Sequence, residues 1–202
     1  MIRRLAFVAA ALIPIFIASG SRAAPIVYVA TLTGPGESPP NTSTATGSSE
    51  VDYDPTTHKL TVHVSFSGLT GTTTASHIHS PTPAPLTGAT GVATTTPTFT
   101  GFPIGVTSGV FDTILDLTMD SSYNPAFESA NGGTAASAEA ALATGLAARE
   151  AYLNIHTVTF PGGEIRGFLL QAVPEPTSVV LLSTGVLGVL VYHWRTRGRM
   201  RK

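Results

Sequence analysis

From Ile26 to Gly34 the chain reads IVYVATLTG, with apolar and polar positions alternating, and the run stops at Gly34-Pro35-Gly36. Alternation sends successive side chains to opposite faces of a strand, so this is the first predicted strand. Glu37 to Ser49 is turn and loop chemistry. A second strand begins over Gly47 to Tyr53, and Asp54-Pro55-Thr56-Thr57 makes a turn. His58 to Leu69 carries the cleanest alternation. Leu60, Val62, Val64 and Phe66 face one way; Thr61, His63, Ser65 and Ser67 face the other, as in a half-buried strand. After a Gly-Thr loop comes ASHIHS (Ala75 to Ser80), in which His77 and His79 share a face and Ile78 takes the opposite one. Pro81 to Gly91 reads as loop, and VATTTPTF (Val92 to Phe99) and GVFDTILDLT (Gly109 to Thr118) read as further strands.

The period changes once. Ser121 to Gly133 reads as loop, and Thr134 to Glu150 is alanine-rich with the best helix propensity in the chain. Thr134 suits an N-cap, and Leu142 and Leu146 lie four apart on one face. Gly145 weakens the segment, so a short helix is expected. Ala151 to Phe160 and Glu164 to Val173 then form a strand hairpin across Pro161-Gly162-Gly163. Strands dominate and no fixed-period repeat is present. The expected fold is all-β: an antiparallel, Greek-key-like β-sandwich with one short helical insertion.

The two ends differ from this body. Arg3 and Arg4 precede an apolar run from Leu5 to Ala18, and Ser21-Arg22-Ala23 fits a small-x-small cleavage site. That is the layout of a secretory signal peptide over residues 1–23, cleaved after Ala23 by signal peptidase. The alternative is a signal anchor that stays in place. At the other end, residues 173–202 combine Pro174-Glu175-Pro176, an apolar stretch from Ser178 to Trp194, and a basic terminus with Arg195, Arg197, Arg199, Arg201 and Lys202. The stretch is just long enough for one transmembrane helix, and its basic flank should stay cytoplasmic. Motif, span and basic end together resemble the PEP-CTERM sorting signal of exported Gram-negative proteins. The resemblance implies recognition of Pro174, Glu175 and Pro176 by an exosortase. The precursor would be held in the inner membrane and then released to the cell envelope surface or the extracellular space, with exopolysaccharide or other surface proteins as partners. A plain, never-processed membrane anchor is the other reading.

Between the ends, residues 24–172 suffice for one domain. The chain has no cysteine, so the fold rests on its core, although the expected compartment permits disulfides. Only 11% of residues are charged, and the basic ones cluster at the ends, which gives no footprint for nucleic acid.

Within the body, Ala75-Ser76-His77-Ile78-His79, then Tyr152-Leu153-Asn154-Ile155-His156-Thr157, then Pro161-Gly162-Gly163-Glu164-Ile165-Arg166-Gly167 resemble the CHRD domain. The resemblance covers roughly residues 30–170. It implies an all-β module of unsettled molecular role, and a non-enzymatic binding or structural protein at the cell surface.

The histidines leave two chemistries open. His77 and His79 supply two imidazoles on one strand face, and His156 on a neighbouring strand supplies a third; His63 is a possible fourth. Copper and zinc both accept such ligands. The layout is similar to the copper side of Cu/Zn superoxide dismutases, but the chain lacks their disulfide and their long zinc-binding loop. The other possibility is a hydrogen-bonded histidine cluster with Asn154, Glu164 and Arg166 as partners, the last two joined in an ion pair or network across the hairpin. No catalytic residue is assigned: the glycines sit in strand-turn-strand context, and no nucleophile elbow is present.

Overall fold

The computed structural model describes residues 24–173 and, beyond them, position 189. The expected leader, the expected sorting motif and nearly all of the apolar stretch therefore lie outside the described residues. Among the described residues no helix is long and apolar enough to cross a membrane.

Eight strands form: β1 (Ile26–Thr33), β2 (Thr46–Asp54), β3 (Lys59–Ser67), β4 (Thr73–His79), β5 (Gly109–Asp116), β6 (Tyr152–Thr157), β7 (Ile165–Phe168) and the two-residue β8 (Leu170–Gln171). All of their pairings are antiparallel. The all-β architecture read from the alternation is the one that folds. Its strands hydrogen-bond along one continuous path, β4-β6-β7-β1-β2-β3-β5, with β8 on β1. Both halves of this curled sheet feed a single core. Leu32, Val51, Leu60 and Val62 come from one half; Ile78, Leu153, Ile155 and Ile165 come from the other, all fully buried. In β3 the predicted faces hold, with Leu60, Val62, Val64 and Phe66 buried and His63, Ser65 and Ser67 exposed.

The predicted strand Val92 to Phe99 does not form a ladder. It runs along the outer edge of β4, where the Thr94 and Thr98 hydroxyls accept from the Ile78 and Ser76 amides at 3.0 and 2.9 Å. Backbone donors Ala93 and Phe99 return bonds to the Ile78 and Ser76 carbonyls. Side-chain oxygens replace part of the regular pairing, and Pro97 has no amide to contribute. The edge is thus covered, as an exposed β-edge requires.

The segment predicted as loop from Ser121 to Gly133 contains helix α1 (Pro125–Ala130), started by Asn124 as N-cap with Pro125 at the first helical position. Helix α2 (Ala135–Ala147) runs thirteen residues, straight through Gly145. Thr134 caps it reciprocally with Ser137. Leu142 and Leu146 are buried as their spacing predicts. Gly145 is tolerated because the helix passes close to Ser80 there, and a Cβ would collide with the Ser80 hydroxyl.

Candidate metal centre

The register of β4 on β6 decides what meets what. His77 faces Asn154, His79 faces Tyr152, and Ala75 faces His156. On the next strand Asn154 faces Arg166 and Tyr152 faces Phe168. With period-2 alternation, His77 and His79 therefore share one side with Tyr152, Asn154 and His156, while Ile78, Leu153 and Ile155 fill the core behind them.

The three imidazoles converge. Ring centroids are 4.7 Å apart for His77–His79, 4.8 Å for His77–His156 and 6.2 Å for His79–His156. One potential ligand atom from each ring lies within 4.8 Å of the other two. His77 and His79 are buried, and His156 is partly open to solvent. His63 does not join them; it sits on the exposed face of β3, 2.5 Å from Asp112.

Loops fix the tautomers. The His79 Nδ1–H donates to the Thr90 carbonyl at 2.7 Å, and the His156 Nδ1–H donates to the Pro161 carbonyl at 2.8 Å. A carbonyl only accepts, so each ring holds its proton at Nδ1 and leaves Nε2 bare. The bare His79 Nε2 is buried with no hydrogen-bond partner. His156 Nε2 lies 3.1 Å from His77 Nε2, a contact that is a hydrogen bond when the His77 ring carries its proton at Nε2 and donates it. That leaves His77 Nδ1 buried and unpartnered. These two ring nitrogens have hydrogen-bonding capacity left over, which native interiors satisfy with an ordered water or a ligand.

Protonation does not compete at neutral pH. Burial first, then the neighbouring histidines, pushes His77 down to about 3. Burial is also the main cause that takes His79 down to about 4, and His156 is lowered the same way. Three neutral imidazoles, two of them oriented by carbonyls behind them, make a donor set suited to copper or zinc. Metal–nitrogen bonds of about 2.0–2.1 Å place two ligand atoms at most about 4.2 Å apart, so His77 and His156 already stand at ligand spacing and the widest separation in the cluster, up to 4.8 Å, has to close.

Asn154, Glu164 and Arg166 occupy this layer in different ways. Asn154 lies between His77 and Arg166 across the strands, and its Oδ1 is buried without a partner. Glu164 does not meet Arg166 in an ion pair. Its carboxylate accepts from Ser43 Oγ, the Thr70 amide and hydroxyl, the Gly71 amide and Thr157 Oγ1, binding three loops together. Burial opposes its ionisation, but these donors prevail and hold it below the usual carboxylate range. Arg166 instead donates to the Gly36 and Gly88 carbonyls at 2.5 and 3.0 Å and lies 3.8 Å from the Glu37 carboxylate. Its guanidinium stacks 4.5 Å over the Tyr152 ring, which also stacks on the His79 ring, 4.6 Å away and nearly parallel at 7°. Glu37, Tyr152 and the Thr90 and Pro161 carbonyls were not assigned to the site from sequence. Tyr152 and Pro161 stood within the motifs that carry the resemblance, without a role; Glu37 stood there as a lone acid in a Gly- and Pro-rich loop.

The CHRD domain family model matches residues 28–169, from the third residue of β1 to the link between β7 and β8. The chain belongs to the CHRD domain family. No curated protein and no solved structure matches it. The CHRD match spans every strand except β8, and all three histidines with their loop carbonyls fall inside it.

Proposed function

We propose that this protein is an exported, non-enzymatic CHRD module of the cell surface that holds one copper or zinc ion on His77, His79 and His156. The observation that carries the reading is the convergence of three neutral imidazoles, two buried and one partly open to solvent, with His79 and His156 held in the Nε2-bare tautomer by backbone carbonyls. Residues 1–23 are the leader removed at Ala23. Residues 173–202 are the sorting tail that an exosortase reads at Pro174-Glu175-Pro176, with exopolysaccharide or other surface material as the final neighbour. The basis for the leader and the tail is the sequence layout.

A purely structural cluster has one observation in its favour: the 3.1 Å His156–His77 contact satisfies two of the ring nitrogens without an ion. Elemental analysis of the full chain, saturated with copper or zinc and then dialysed, separates the two. The metal reading expects one ion per chain, released by His77→Ala. A metal-free wild type after the same treatment refutes it. Mass spectrometry of the surface-located protein checks the tail: a C-terminus near residues 173–176 is expected, and an intact Lys202 counts against processing.

A further inference from the structure

We propose that Arg166 makes the three-histidine site select a singly charged ion, copper(I), over doubly charged zinc. This deepens the metal reading and rests on it.

Ligand softness does not choose between these ions here, because imidazole suits both copper and zinc. The electrostatic surroundings do choose. All three ligands are neutral, and the group of potential ligands contains no carboxylate. An ion in a buried site pays a desolvation cost that grows with the square of its charge. The fixed charge behind the site is also of the wrong sign for a divalent ion. Arg166, 4% exposed, stacks on the Tyr152 ring, and that ring stacks on His79. The neighbours of this stack from each element are Asn154 and Tyr152 on β6, Phe168 on β7, Glu37 from the β1–β2 loop, and the Gly88 and Thr90 carbonyls from the loop after β4. Glu37 is the one anion among them. Its 3.8 Å approach to Arg166 lacks hydrogen-bond contact, and its Oε1 is buried without a partner. Burial pushes that carboxyl up to about 7 despite the guanidinium, so at neutral pH it cancels the cation only in part. Repulsion from one fixed cation is doubled for a doubly charged ion.

The test uses the full chain and anaerobic competition titrations with copper(I), with silver(I) as its redox-silent counterpart, and with zinc(II). The reading is the ratio of zinc to copper(I) dissociation constants. Arg166→Gln should shrink that ratio by about tenfold, the size expected for removing one unit charge at this remove in a partly screened interior. Arg166→Lys, which keeps the charge, should hold the ratio near wild type. Glu37→Gln, which removes the opposing charge, should enlarge it, and this arm decides the matter even if Arg166→Gln does not fold. Tighter binding of zinc than of silver and copper(I) by the wild type would overturn the proposal. So would a ratio indifferent to both Arg166→Gln and Glu37→Gln. If the wild type holds none of the three ions, the metal reading itself falls and this inference goes with it.

Discussion

An imidazole that is buried without an anionic partner folds in its neutral form, and the unfolded chain then binds the proton that the folded one refuses. His77 at about 3 and His79 at about 4 both stand well below the ordinary 6.5. Between those values the unfolded state carries more protons, so stability rises with pH towards 6.5 and is lost on acidification. Glu37 acts with the opposite sign: its folded value of about 7 exceeds the ordinary 4.5, so its contribution is present in acid and fades as pH rises through that interval. Two histidines outweigh one carboxyl, and His156 and Glu164, both lowered, act in the direction of the histidines. The metal-free protein should therefore lose about 1.4 kcal/mol per pH unit or more from pH 6 to 4.5, the slope of at least one net proton. Urea midpoints across that range check it, and the His77→Gln/His79→Gln variant should reverse or flatten the slope. A flat wild-type profile would refute the account. At this scale the facing of the histidines was legible, because alternation along ASHIHS dictates it. The groups that complete the layer were not. Thr90, Pro161 and Glu37 arrive on loops whose path no periodicity encodes, and Arg166 takes its carbonyl partners from two of those loops.

Among the elements, α2 shows propensity yielding to packing. Glycine at position 145 costs a helix about 1 kcal/mol relative to alanine. Here it is the absence of a side chain that lets Ser80, the residue after His79, lie against the helix. Gly145→Ala should consequently destabilise the fold by about 1–3 kcal/mol in chemical denaturation, in spite of its helix preference. Adding Ser80→Ala should recover most of the loss, since the Ser80 hydroxyl is buried without a partner and the remaining Cβ contact of 3.4 Å is tolerable. An unchanged or stabilised single variant would show that the close approach is unimportant. Most strands were legible from alternation and β-branched residues. Val92 to Phe99 deceived because a threonine-rich run satisfies an edge through its hydroxyls as readily as through a ladder. Helix α1 had left its mark in Asn124-Pro125, a cap followed by a proline at the first helical position, but six residues are too few to show a period.

For the molecule as a whole, the all-β class followed from composition and pattern, whereas the order of strands did not. The neighbours β4–β6, β7–β1 and β3–β5 are joined by contacts distant in sequence, which local alternation cannot specify. The short pairing of β8 on β1 has a further consequence. Tyr28 pairs with Gln171, and the Ala172 amide reaches the Val27 carbonyl at 2.8 Å, so the domain is entered and left at a single corner. A circular permutant that links residue 173 to residue 24 through a few glycines and opens between Gly132 and Gly133 should fold and keep the wild-type metal affinity, because the new break falls in an exposed connection between helices. Failure of that permutant to fold would mean the native ends contribute more than a seam. The same corner would serve as the point of suspension for a tether at either terminus. A domain hung from its leader and one hung from its tail would present the histidine pocket to their surroundings at the same orientation.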